Sequence, residues 1–261
     1  MAAFPNHAKR QLQAGQLALG LILRQARTVD IAAIARACGF DWLSMDMEHT
    51  SLDMDTAAQI AAAALPAGIS ALVRIPGKEP HHATRLLDAG AQGVIIPHVD
   101  TAEDAALFVS HCKYPPAGHR STASVLPQLG FQSISGDEAM QAVNAETLIV
   151  AMLETPRAID NADAIAAVPG VDVLLIGTND LCAEMGIAGQ FGDPKLEQAY
   201  RRVTAACKAH GKYAGMAGLH DPKLAAKFVD MGVRFIGGGT DLSFLMAGAR
   251  QRTSFLRGLL K

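Results

Sequence analysis

Four carboxylates, a guanidinium and an imidazole stand just past apolar stretches of this chain. Leu43-Ser44-Met45 runs into Asp46, Met47, Glu48 and His49; residues 148–153 run into Glu154; residues 171–177 are followed closely by Asp180; residues 71–73 run into Arg74. Strands commonly end in Gly, Asn or Pro, which turn the chain, whereas these end in charged groups. Glu154 and Asp180 at neighbouring strand ends would repel unless a cation or a proton lay between them. Hard oxygen ligands of this kind suit Mg²⁺ or Mn²⁺. The same two positions also suit helix caps, Glu154 for a helix beginning near Pro156 and Asp180 for a short helix after it. Arg74 can polarise a carbonyl or stabilise an enolate oxygen, because its charge persists at any working pH; a surface salt bridge is the other use of such a position. Alternation sends Asp46 and Glu48 to one side of their strand, with His49 in the following loop. A carboxylate that orients an imidazole is a general-base arrangement, and a buried, hydrogen-bonded structural carboxylate is the alternative.

Other candidates are weaker. His81-His82 reads as a solvated pair at a helix start, Gly237-Gly238-Gly239 as tight backbone packing rather than an anion cradle, and Cys182 as structural. Lysine is absent from the expected strand ends apart from Lys78, which counts against a Schiff-base aldolase, since that chemistry needs a desolvated lysine.

Residues so spaced need a scaffold that brings several strand ends together. Apolar, β-leaning runs recur at residues 19–23, 42–47, 71–75, 93–97, 148–153, 171–176, 213–217 and 235–237, separated by segments with apolar residues at helical spacing. Glycine follows many of those segments, as at Gly39, Gly68, Gly90 and Gly170, where a helix C-cap is expected. Strict alternation of strand and helix, with strands apolar on both faces, predicts a (β/α)8 TIM barrel forming a single domain over residues 1–261. A doubly wound open sheet is the second choice. It requires a Gly-rich phosphate turn after the first strand, and this chain has Arg24-Gln25-Ala26-Arg27 there. Residues 114–136 break the period and read as a long loop after the fourth strand, roofing the site. Residues 186–194 are a second candidate lid.

The chain has 261 residues, a net charge of −2 and 5% aromatic residues, which argues against nucleic-acid binding by phosphate neutralisation or base stacking. Cys38, Cys112, Cys182 and Cys207 are scattered without a C-x-x-C pair, so reduced thiols in a cytoplasmic protein are expected rather than disulfides or structural zinc. No signal-peptide pattern opens the chain and no apolar run has the length to span a membrane. The C-terminal residues 254–261 read as an amphipathic helix end that packs on the barrel or on a partner subunit.

Several stretches in order resemble the HpcH/HpaI family of class II pyruvate-type aldolases. They are Phe40-Asp41-Trp42-Leu43-Ser44-Met45-Asp46-Met47-Glu48-His49, Val73-Arg74, Leu87-Asp88-Ala89-Gly90-Ala91-Gln92-Gly93, Tyr114-Pro115-Pro116-Ala117-Gly118-His119-Arg120, Glu154-Thr155 and Ile176-Gly177-Thr178-Asn179-Asp180-Leu181. The resemblance implies reversible retro-aldol cleavage of 4-hydroxy-2-oxo acids to pyruvate and an aldehyde. It implies that Glu154 and Asp180 ligate a divalent cation (Mg²⁺, Mn²⁺ or Co²⁺) and that Arg74 holds the keto oxygen. His49, oriented by Asp46, would be the acid/base, working through water. Ser124 and the backbone N–H groups near Thr178 and Asn179 would seat the substrate carboxylate beside Asp180. It further implies that Asp88 reaches a neighbouring subunit's site in a homo-oligomer, a trimer or a hexamer. The family often has Gly-Pro before x-Asp-Leu where this chain has Gly177-Thr178, and glycine where it has Met47. An oxaloacetate decarboxylase, or another carbon–carbon lyase or synthase passing through a pyruvate enolate, would use the same residues. A non-catalytic ligand-binding barrel is the rival of a different class.

Overall fold

The computed structural model describes residues 3–123, 125–132 and 136–260. Its strands are β1 (Ala18–Leu23), β2 (Trp42–Asp46), β3 (Ser70–Arg74), β4 (Gly93–Ile96), β5 (Leu148–Leu153), β6 (Val173–Gly177), β7 (Tyr213–Ala217) and β8 (Val233–Thr240), which close as a parallel barrel in chain order. The helices are α1 (His7–Gln13), α2 (Ile31–Ala37), α3 (Met54–Ala67), α4 (Pro80–Asp88), α5 (Ala102–Cys112), α6 (Gly136–Glu146), α7 (Pro156–Asp160), α8 (Ala162–Ala166), α9 (Thr178–Glu184), α10 (Pro194–Ala209), α11 (Pro222–Asp230) and α12 (Asp241–Gly258). The expected (β/α)8 architecture is therefore the observed one.

Two apolar layers hold it. Outward-facing strand residues such as Leu43, Val73, Ile96, Ile149 and Ile176 pack under the helices. Inward-facing residues, among them Trp42, Leu72, Val150, Leu175 and Phe235, fill the barrel. Trp42 stacks on Phe235 at 4.3 Å, donates its indole N–H to Ala18 O at 3.1 Å, and occupies the space a side chain on Gly20 would need. Helix α1 plugs the lower end: Ala8 and Leu12 are buried, and Ala8 N donates to Ser70 Oγ at 3.2 Å.

Three features differ from the expectation. Helix α6 falls where no helical stripe was evident, because it buries only Val143 and leaves a weak apolar pattern. The segment after Cys112 does not roof the site. It leaves the lower end of α5, since barrel helices run back down to the N-terminal ends of the strands. There it is tied to the α5–α6 and α4–β4 regions: Tyr114 N donates to Asn144 Oδ1 at 2.8 Å, Arg120 Nη2 to Asp88 Oδ1 at 2.6 Å, and Gln128 Nε2 to Leu87 O and Ala91 O. Ser124 lies outside the described residues. The C-terminal helix α12 runs for 18 residues and buries none of them. Among the described residues no helix is long and apolar enough to cross a membrane.

Candidate active site

The period of two along each strand assembles the site. The inward phase carried by Trp42 and Ser44 continues to Asp46, that of Leu72 to Arg74, that of Val150 and Met152 to Glu154, and that of Val173 and Leu175 to Gly177. Asp46, Arg74, Met152 and Gly177 line a cavity of about 430 Å³ at the upper mouth, together with Arg24, His49, Thr178, Asn179, Asp180 and His220, and Glu154 lies against its Gly177 wall. Catalytic sites of such barrels occupy this end.

The register of β2 and β3 sets Asp46 opposite Arg74. Arg74 Nε donates to Asp46 Oδ1 at 3.0 Å and Nη2 to Oδ2 at 2.6 Å, a bidentate pair. The backbone N–H groups of Glu48 and His49 also donate to Oδ1, at 3.2 Å each. Burial opposes ionisation of Asp46, yet the Arg74 hydrogen bonds and charge and the His49 N–H outweigh it, and the carboxyl is held below the usual carboxylate range. Asp46 therefore braces Arg74 and the His49 backbone. The carboxylate near the His49 ring is Glu48, whose Oε2 lies 3.6 Å from His49 Nε2 and 3.2 Å from Arg74 Nη1. The register of β2 against β3 places Arg74 beside Asp46, and one chain's residue order does not reveal register.

Glu154 is buried and accepts the backbone N–H of His98 at 3.0 Å; its Oε2 also lies 3.3 Å from His98 Nδ1. His98 takes a left-handed backbone (φ 53°), and its Nε2 lies 3.3 Å from Glu48 Oε1. Burial pushes the Glu154 carboxyl up; the His98 N–H works against this, while the nearby charges of Glu48 and Asp180 add to it. Gly177 leaves room for this side chain: a Cβ there would lie 2.7 Å from both Cγ and Oε1 of Glu154. Neither metal candidate is spent on a cap. Thr155, not Glu154, caps α7, and α9 starts at Gly177 with no side-chain cap. Asp180 lies in the first turn of α9, exposed at the mouth.

Among the described residues no group of three or more His, Cys, Asp or Glu side chains is arranged to hold an ion. A cation here would rest on Glu154 and Asp180, with water or substrate oxygens completing the shell. The surroundings fit one: among the described residues, the carboxylates Asp46, Glu48, Glu154 and Asp180 gather around this mouth with the guanidinium groups of Arg24 and Arg74. Thr178 lines the cavity, and its hydroxyl is engaged with Tyr200 Oη at 2.8 Å, so only its backbone N–H can serve a ligand. Asp88 is not brought to the cavity; it ends α4 at the opposite end of the barrel, paired with Arg120. His98, Arg24 and His220 were not singled out from the sequence. Each follows a strand closely, so the test that flagged Glu154 would have flagged them.

The profile of the HpcH/HpaI aldolase/citrate lyase family matches residues 21–247. The chain belongs to this family. It is 37% identical over 255 residues to a 4-hydroxy-4-methyl-2-oxoglutarate aldolase from Hapsidospora irregularis, covering 96% of this chain and 94% of that one. It is 34% identical to a hydroxypyruvate/pyruvate aldolase from Cupriavidus necator, covering 97% of this chain and 93% of the other. The crystal structure of an HpcH/HpaI aldolase from Desulfitobacterium hafniense superposes with a TM-score of 0.90 at 31% identity, covering 95% and 96% of the two chains. The HpcH/HpaI membership expected from the motifs thus holds, and so does the expectation of an aldolase, a carbon–carbon lyase.

Proposed function

We propose that this family member cleaves 4-hydroxy-2-oxo acids reversibly to pyruvate and an aldehyde, using a divalent cation held by Glu154 and Asp180. The observation that carries the reading is the locked Asp46–Arg74 pair facing a mouth that also holds two carboxylates unused by helix caps. When bound, the cation, Mg²⁺, Mn²⁺ or Co²⁺, supplies Lewis-acid polarisation of the 2-oxo group.

The chain's own residues do the rest. Asp46 fixes the Arg74 fork through two of its N–H groups and leaves others for the substrate's keto oxygen. As the C3–C4 bond breaks, its electron pair becomes the C2–C3 π bond and the carbonyl π pair moves onto the C2 oxygen, giving an enolate that Arg74 stabilises. His49, directly or through a water, takes the proton of the C4 hydroxyl as the aldehyde forms, with Glu48 as its neighbouring carboxylate. Protonation of C3 then gives pyruvate. The backbone N–H groups of Thr178 and Asn179, which open α9 at the cavity wall, seat the substrate carboxylate. The reading includes a homo-oligomer, a trimer or a hexamer, in which Asp88 serves a neighbouring site. The unburied α12 and the Asp88–Arg120 pair at the lower end are the surfaces that support it.

The test is pyruvate release from 4-hydroxy-2-oxo acids with each cation. Arg74→Ala and Glu154→Ala should each lower kcat/KM by on the order of 10²–10³-fold or more, with unchanged circular dichroism. A fully active Arg74→Ala protein would overturn the proposal.

A further inference from the structure

His98 stands between two carboxylates that the retro-aldol scheme uses separately, Glu154 for the cation and Glu48 beside the base. Its backbone N–H donates to Glu154 Oε2 at 3.0 Å, and its ring Nδ1 lies 3.3 Å from the same oxygen. On the other side of the ring, Nε2 lies 3.3 Å from Glu48 Oε1. Glu48 Oε2 in turn stands 3.6 Å from His49 Nε2 and 3.2 Å from Arg74 Nη1. A neutral imidazole carries one N–H and an imidazolium two, so in either state the ring can serve at least one of the two carboxylates.

The backbone sets this position. Strand β4 pairs with β5 as far as Ile96 opposite Ala151. Pro97 has no N–H with which to continue the ladder. Val99 N rejoins β5 by donating to Met152 O at 3.0 Å, and Asp100 Oδ1 accepts from Thr155 Oγ1 at 2.5 Å. His98 spans the gap with a left-handed backbone, φ 53°, a costly conformation for a residue with a β-carbon. Its N–H there meets the Glu154 side chain instead of a strand carbonyl. The His98 side chain is 54% exposed, whereas those of Glu48 and Glu154 are 11% and 3% exposed. The ring therefore fills little of the core, and its contacts with the two carboxylates are what it adds.

We propose that His98 is a positioning residue that holds Glu154 in its cation-binding orientation and ties it, through Glu48, to His49 and Arg74. This rests on the aldolase reading, in which Glu154 binds the cation and His49 is the acid/base. Glu154 then meets the cation already oriented, and Glu48 stays beside the base during cleavage.

The experiment measures Mn²⁺ binding to wild type, His98→Gly, His98→Asn and Glu154→Ala through loss of the free Mn²⁺ paramagnetic resonance signal. The same proteins are assayed at saturating Mn²⁺ for kcat and KM of pyruvate release from a panel of 4-hydroxy-2-oxo acids. Glycine accepts the left-handed backbone and keeps the N–H, so His98→Gly removes the ring alone. Asparagine tolerates the same backbone and returns an amide. His98→Gly should bind Mn²⁺ about 10–10²-fold more weakly, the usual effect of losing a group that orients a ligand. At saturating Mn²⁺ its kcat should fall while KM changes little, and His98→Asn should lie between it and wild type. A ring that served packing alone would change Tm and leave Mn²⁺ affinity as in wild type. If Glu154→Ala loses Mn²⁺ binding but His98→Gly binds as tightly as wild type, the role of His98 is overturned and the aldolase reading stands. If wild type releases no pyruvate from the panel but His98→Gly still weakens Mn²⁺ binding, the aldolase reading fails and the hold of His98 on Glu154 stands.

Discussion

Replacing Glu154 by glutamine separates two effects of one carboxylate. In the cation-free protein this buried group sits near Glu48 and Asp180, and its charge is costly. The neutral amide removes that cost while keeping an oxygen for the His98 N–H. Glu154→Gln should therefore raise the cation-free Tm, by about 2–4 °C for each kcal/mol relieved. Wild type should gain Tm on addition of Mn²⁺, as any ligand of the native state requires, and the variant should lose that gain along with turnover. A lower cation-free Tm, or a Mn²⁺ shift equal to that of wild type, would count against Glu154 as a ligand. At this scale much of the site was legible. Strand period alone aims Asp46, Arg74 and Glu154 at the barrel axis, since each extends an inward apolar series. The partner of Asp46 was not legible, because Arg74 is set beside it by the pairing register of β2 and β3, which residue order alone does not give.

Elements set how closely these groups approach. The end of β6 passes so near Glu154 that Gly177→Ala would place a Cβ 2.7 Å from Glu154 Cγ and 2.8 Å from Met152 Cε. Glu154 or the strand must then move. Turnover should fall by on the order of 10²-fold, since misplacement near 1 Å has that effect, and Mn²⁺ affinity should weaken while circular dichroism is preserved. Wild-type turnover and Mn²⁺ affinity in Gly177→Ala would show that the clearance is idle. The strands were legible because β2, β5 and β6 are buried over their whole lengths and so form unbroken apolar runs. The segment after α5 was misplaced because it was counted from the preceding strand. The chain first descends α5, so it emerges below the barrel, where Lys113 donates to Thr147 O at 2.6 Å.

At the scale of the whole molecule, α12 touches β1 and β8 and sets Phe244 against Phe40, yet none of its described residues is buried. Phe244, Leu245, Phe255 and Leu256 are exposed on it, and an apolar surface of this kind on one element marks a contact region. On the wall beside it Ile236 is only partly buried and Gly238 is exposed. Sedimentation should give a multiple of 27.4 kDa, and the double substitution Phe255→Lys with Leu256→Lys should shift it to a smaller species. A monomeric wild type would remove the oligomer from the proposal. Asp241 gives this arm a wider reach, because the first residue of α12 also grips the backbone of Arg24. A partner that grips the arm therefore presses on the same rivet that holds the turn after β1 at the cavity mouth, so contact between copies and the shape of that mouth meet at a single joint.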